Sequence, residues 1–504
     1  LKSIRVFEMN GFPKRFMWGI SMAAFQYEMG GSKESVDPNS DWYVWLHDEK
    51  NIGSKIVSGD LPENGPGYWD LYEIDHGWAE WMGLNTWRTN PEWSRIFPRS
   101  TREVKVSVDS DSEGVKEVEV TEQSLRKLDA LANKQAVKHY GKIFRDLKER
   151  GMKLILNLYH WPLPTWIHNP IVARNTGLKE GPRGWFDEDT VVEFAKFAAY
   201  IAWKFQDTVD MWSTLNEPNV TWSIGYLGGN FPPGVMDVNA VARVSFNLVQ
   251  AHARAYDQIK RIVGRRARVG VIYATSPAEP LTDSDEDRKA AEACDEYSTK
   301  WFFRAVVNGV LKRGSAMEEE VKRRDLGNRV DWIGVNYYTR SVVKHTDNPP
   351  YFKAEGNYGF ACQPDSRSAA GRPTTETGWE IYPEGIRRAL SIYREYEKPL
   401  IVGENGVADS RDRHRTWFIV SHLHNLLKAI REDGLNVVGY LHWSLIDNLE
   451  WASGFSKRFG LIYVDMNTKR RHPRPSAYVY RDIVGGNAIP EYLSEYAQYP
   501  NILV

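Results

Sequence analysis

The chain is 504 residues long, with 42% hydrophobic and 26% charged residues, an ordinary globular balance that allows a large core. A formal net charge of −1 supplies no overall field for nucleic acid or an anionic membrane. Two cysteines, Cys294 and Cys362, form neither a disulfide framework nor a metal pair and read as free buried thiols; with no apolar run of roughly 18 residues and no signal-peptide pattern, the expected location is the cytoplasm.

Along the chain, short β-branched or aromatic runs alternate with helical patterns. The runs are Met17 to Ser21, Asn85 to Thr89, Lys153 to His160, Met211 to Asn216, Arg268 to Thr275, Asp331 to Tyr337, Leu400 to Glu404 and Val437 to Trp443. Several are nearly continuous in apolar residues, as parallel strands buried on both faces are. Eight such units, with no linker dividing the chain, predict a single α/β domain over residues 1–504: a (β/α)8 TIM barrel with long βα loops. Between the second and third runs, alternating valines (Val104, Val106 and Val108, then Val118 and Val120) predict a β-hairpin insertion near 102–120, turning across Asp109 to Gly114, with Val115 out of register. Thr190-x-x-Glu193 reads as a capping box opening a helix to Phe205. The charge run Glu318 to Arg324 reads as a solvated helix face.

Barrel active sites lie at the C-terminal ends of the strands, so the polar residues there are the candidates. Glu217 and Glu404 follow the fourth and seventh runs, and Asn216, Asn336, Tyr338, His160, Trp161, Arg88, Gln26, Trp443, Glu450 and Trp451 end or follow the others. Two glutamates at strand ends suit glycoside hydrolysis, in which one carboxyl protonates the leaving oxygen and the other attacks the anomeric carbon. Arg88 is the candidate cation that keeps one of them ionised, with Tyr338 as a donor to the same carboxylate. The 20 Trp, 25 Tyr and 19 Phe include rings set beside polar groups, an arrangement that fits a sugar's C–H face and hydroxyl edge. A glutamate at a strand end is more often a plain loop residue. Asp447 and Asp465 read as cap or turn residues. No spacing suggests a metal site, and no cofactor is implied.

The segments Phe25-Gln26-Tyr27-Glu28, Glu92-Trp93-Ser94-Arg95-Ile96-Phe97-Pro98, Tyr159-His160-Trp161-Pro162, Asn216-Glu217-Pro218, Gly334-Val335-Asn336-Tyr337-Tyr338, Glu404-Asn405-Gly406 and Glu450-Trp451-Ala452-Ser453-Gly454-Phe455 occur in this order. Together the set resembles glycoside hydrolase family 1, and within it the archaeal β-glycosidases, over nearly the whole chain. The resemblance implies hydrolysis of terminal β-D-glycosides, gluco or galacto and also manno or fuco, with retention and with transglycosylation as a side activity. It implies Glu217 as acid/base and Glu404 as nucleophile, supported by Arg88, Tyr338 and Asn336. Asn216 would bond the sugar 2-hydroxyl, and Gln26, His160, Trp161, Glu450 and Trp451 would bind the glycon over a Trp443 floor. Trp379 would form a wall toward the aglycon, with Phe459 nearby. Lys457 matches a lysine of the 6-phosphosugar branch, but Glu450 would repel a phosphate and Phe459 replaces that branch's tyrosine. The resemblance further implies a thermostable homo-oligomer, a tetramer, acting on small β-glycosides and oligosaccharides. An idle carbohydrate-binding barrel and a metal-dependent hydrolase are the competing readings.

Overall fold

The computed structural model describes residues 11–313 and 319–497. Eight parallel strands close into a barrel: β1 (Met17–Ser21), β2 (Thr86–Thr89), β3 (Lys153–Tyr159), β4 (Met211–Asn216), β5 (Val269–Ala274), β6 (Trp332–Asn336), β7 (Leu400–Asn405) and β8 (Val437–His442). Each pairs with its sequence neighbours, and β1 closes against β8. All eight predicted runs are barrel strands, with ends within about two residues of those expected. Their apolar continuity has the anticipated cause. Met17, Ile155, Met211, Ile272, Trp332, Ile401 and Leu441 fill the lumen, while Leu154, Leu156 and Leu158 of β3 face outward into the main core under the helices.

The hairpin is present as strands Ser107–Asp111 and Gly114–Glu119. A register shift explains the displaced valine: Asp109 pairs with Glu117 but Ser110 pairs with Val115, so one extra residue lies between. This bulge turns Val115 and Val118, three positions apart, to the same buried side.

Two local expectations fail. The helix Asp189–Phe205 starts without a side-chain cap. Thr190 already lies inside it and donates to the Gly184 carbonyl, while Glu193 takes bonds from Thr101 and Lys196. Buried tertiary partners outbid the local box. The acidic-basic run is no helix in its described part: Glu319–Lys322 pairs antiparallel with Val310–Arg313, and Glu318 lies outside the described residues. Of the two thiols, Cys294 is buried but Cys362 is half-buried.

The segment after β8 carries part of the mouth and is anchored by Asp447. Its carboxylate is fully buried and accepts from Arg474 (2.9 and 3.0 Å) and Arg458 (3.0 Å), as well as from the backbone N–H groups of Gly460 and Val464. Asp447 is thus a buried ion-pair centre, whereas Asp465 is the turn residue expected, accepting from Asn467 and Thr468. Removing one member of a buried pair leaves uncompensated charge. Asp447→Ala is therefore expected to cost about 3–5 kcal/mol, read as a lowered denaturant midpoint; an unchanged midpoint would contradict the anchoring role.

Candidate active site

The two glutamates reach the barrel mouth by different backbone devices. On β7, Val402 pairs with Val335 and Glu404 with Asn336, so Gly403 is the extra residue of a bulge. A Cβ on Gly403 would lie 2.7 Å from Asn336 Oδ1, so a side chain there would push the Asn336 amide aside. Glu217 follows β4 with φ 47°, ahead of the helix Pro218–Ser223, which begins on proline. Proline suits the first helical position and disfavours αR in the residue before it. Trp161 (φ 85°) and Trp451 (φ 45°) share this left-handed conformation. It is costly for non-glycine residues, and such strain gathers at functional sites.

Arg88, fully buried on β2, organises the floor. One terminal nitrogen, Nη1, donates to Glu404 Oε1 (2.5 Å) and Ser21 Oγ (2.6 Å); the other, Nη2, donates to Asn216 Oδ1 (2.5 Å). Tyr338 Oη donates to Glu404 Oε2 at 2.8 Å. Asn336 Nδ2 donates to Glu217 Oε1 (2.8 Å) and Asn216 Oδ1 (3.1 Å). Its shortest bond is with Glu217, and it also bears on Glu404, beside which the sequence places it. Asn216 Nδ2 donates to His160 Nε2 (3.0 Å), so that ring nitrogen is the acceptor. A continuous hydrogen-bonded chain thus joins Glu404 through Arg88, Asn216 and Asn336 to Glu217.

The carboxyls differ in their surroundings. Burial, and then the charge of Glu404, push Glu217 up to about 8, against smaller pulls from Asn336 and Arg88. Burial also raises Glu404, and Arg88 first, then Tyr338 and Asn336, offset part of that rise. Burial and the charge of Glu404 raise Glu450 to about 8. Burial, reinforced by Arg88, holds His160 well below the usual imidazole range, hence neutral.

The predicted aromatic residues converge. Trp443, Trp451 and Phe459 share one cluster with Phe25 and Trp42, and Trp161, Tyr338, Trp379 and Phe231 pack against it. His160 stacks on Trp443 (6.1 Å) and on Trp451 (6.3 Å). Trp161 meets Trp451 at 4.6 Å. Trp379 lies 5.2 Å from Tyr338 and 5.9 Å from Phe459. Sequence reasoning missed Ser21, Trp42, Phe25 and Phe231. Ser21 ends a barrel strand and could have been found that way; the other three lie on segments whose spatial place no local pattern shows. Among the described residues, buried polar atoms at this mouth without a hydrogen-bond partner include Gln26 Oε1, His160 Nδ1, Trp161 Nε1 and Glu450 Oε2, together with Arg88 Nε and Asn336 Oδ1 in the floor. Buried polar groups require partners, and a polyhydroxylated ring supplies both donors and acceptors. Lys457 Nζ donates to the Glu376 carbonyl (2.5 Å), away from the carboxyl set.

Comparisons with known proteins agree with this geometry. The model of glycosyl hydrolase family 1 matches residues 8–109 and 129–489, leaving out most of the hairpin. A β-galactosidase of Saccharolobus solfataricus is 49% identical over 98% of this chain and 99% of its own. The crystal structure of a β-glycosidase from Thermosphaera aggregans superposes with a TM-score of 0.91 at 47% identity, covering 97% of this chain and 100% of that one. The β-glucosidase of Pyrococcus furiosus gives 0.89 at 46% identity, over 97% and 98%. With motif order, barrel and carboxyl pair all in accord, the chain belongs to glycosyl hydrolase family 1 and is an enzyme that cleaves β-glycosidic bonds.

Proposed function

We propose that Glu404 is the nucleophile and Glu217 the acid/base in the hydrolysis of terminal non-reducing β-D-glycosides by double displacement. The observation carrying this assignment is the asymmetry of the pair. Glu404 holds a guanidinium and a phenol, which favour its anion, whereas Glu217 has only a neutral amide at close range. An ionised Glu404 attacks the anomeric carbon as protonated Glu217 gives its proton to the leaving oxygen. Water, deprotonated by Glu217, then releases the sugar with retention, and an acceptor hydroxyl in its place gives transglycosylation. Asn216, held by Arg88 and Asn336, is poised to bond the 2-hydroxyl. Gln26, His160, Trp161, Glu450 and Trp451 read the remaining hydroxyls over Trp443, and Trp379 with Phe459 flanks the aglycon.

The relatives named β-galactosidase and β-glucosidase favour galactosides and glucosides as substrates. One related structure is of a β-glucosidase mutant derived from a hyperthermophilic tetrameric structure, and that parent supports a homotetramer here. The few cysteines support a cytoplasmic enzyme, read as one domain. No helix among the described residues is long and apolar enough to cross a membrane.

Glu404→Ala is expected to reduce aryl β-glycoside release by on the order of 10⁴-fold or more, with azide or formate restoring turnover to an inverted product. Retained turnover in that variant would refute the nucleophile assignment. The acid must carry its proton, so kcat/KM should fall as pH rises through about 8, where Glu217 ionises. It should fall at low pH as Glu404 takes up a proton. Tyr338→Phe removes a donor to the anion, which raises Glu404 further. The acidic limb of the profile then moves to higher pH and kcat drops by on the order of 10²-fold; an unshifted limb would contradict the role of the phenol.

A further inference from the structure

The residues that face the glycon in this reading depend on a segment that cannot hold its own shape. Gln26 lies on the helix Ala24–Tyr27, four residues long, whose N-cap position is Ala23 with no side-chain bond to offer. One helical turn is unfavourable alone, and its first N–H groups lack intrahelical acceptors. The loop after β2 supplies them. Asn90 Oδ1 accepts from Ala24 N–H (2.9 Å) and Glu92 Oε1 from Phe25 N–H (3.0 Å). Asn90 Nδ2 also donates to Glu92 Oε1 (2.9 Å), which ties the two acceptors into one buried clamp. Behind it, Glu92 N–H donates to Tyr140 Oη (2.9 Å), and Tyr140 donates to Glu28 Oε2 (3.2 Å), the partner of Arg95 (2.7 Å).

The contacts continue from this turn into the site. Gln26 Nε2 donates to the Leu449 carbonyl (2.7 Å) and Asn448 Oδ1 (3.3 Å), and Leu449 N–H donates back to the Gln26 carbonyl (2.9 Å). Glu450 is the next residue. The Phe25 ring lies parallel to Trp451, centroids 6.0 Å apart and planes 2° apart. We propose that Asn90 and Glu92 are positioning residues for glycon recognition, setting Gln26 directly and Glu450 and Trp451 through the contacts of Gln26 and Phe25. This rests on the reading of those three residues as glycon contacts. Burial and the charge of Glu28 hold the Glu92 carboxyl well above the usual carboxylate range. A neutral amide therefore substitutes for it in charge and in acceptor geometry.

The test is a double-mutant cycle on nitrophenyl β-glycosides, with thermal midpoints recorded alongside. Glu92→Ala and Asn90→Ala should each lower kcat/KM by about 10- to 100-fold, the range for a displaced binding group. Glu92→Gln should stay within about threefold of the parent, because it keeps the acceptor. In a Gln26→Ala background, Glu92→Ala should cost clearly less than in the parent, because the part of its effect that runs through Gln26 is already gone while the part through Phe25 remains. Effects that multiply in full, or an Glu92→Ala enzyme with parental kinetics, would overturn the proposal. If Glu92→Ala does not fold, Asn90→Ala and its combination with Gln26→Ala make the same comparison. A Gln26→Ala enzyme with parental kinetics would sink the glycon assignment instead. The crystal structure of Asn90→Ala then decides the positioning claim: a turn displaced from Leu449 supports it and an unmoved turn overturns it.

Discussion

A fully buried guanidinium touching the carboxylate of Glu404 is the constraint on which the site depends. Arg88 is withdrawn from water, so its charge requires compensation nearby, and Glu404 supplies it at 2.5 Å. The same guanidinium fixes Ser21 and Asn216. Its planar fork thus ties β1, β2, β4 and β7 together across the lumen, which a point charge such as lysine would not do with the same geometry. One residue therefore serves barrel closure, the ionisation of Glu404 and the orientation of the amide beside Glu217.

The closed sheet makes that placement possible. Each strand has neighbours on both sides and carries its terminal side chain to one rim, so residues far apart in sequence converge without flexible loops. The departures from regularity fall where the chemistry lies. The Gly403 bulge re-aims Glu404, and the left-handed residues Glu217, Trp161 and Trp451 sit on the same rim. A regular sheet satisfies its own backbone but does not by itself turn side chains out of register at its rim; the local irregularity does that.

The architecture was legible because it rests on a repeated signal. Strands buried on both faces tend to be apolar along their length, and that holds for several of the eight, though not for β2, which reads Thr-Trp-Arg-Thr. The positions of the polar residues then follow from the strand ends. Single-segment signals failed where a tertiary partner outweighed a local one. Thr190 and Glu193 have the residue types of a capping box, yet Gly184, Thr101 and Lys196 occupy them. The charges at Glu319–Lys322 sit on a strand because a sequence-distant partner, Val310–Arg313, takes up its backbone. Phe231 and Trp42 were not legible for the same reason: each joins the site wall through contacts across long loops. The bulge at Val115 shows the intermediate case, in which the irregularity was visible in the valine spacing but its meaning depended on the pairing.

In the proposed mechanism, charge balance at the floor also accounts for how Glu217 would act as acid and then as base. Near neutral pH, Glu217 and Glu450, each raised to about 8, carry protons, so Arg88 and ionised Glu404 leave the site close to neutral. That balance suits an uncharged sugar, although a protonated Glu450 lacks the charge expected from the sequence to repel a phosphate. When Glu404 becomes esterified, its negative charge disappears while Arg88 stays. The repulsion that helped to raise Glu217 is removed and the attraction from Arg88 persists, so the Glu217 carboxyl becomes a stronger acid just after it has lost its proton. It is then stable as the anion that the second step needs for activating water. Departure of the sugar restores the charge on Glu404, and with it the pressure on Glu217 to keep the proton it has taken from that water. The alternation follows from the appearance and loss of one charge beside the Arg88 guanidinium.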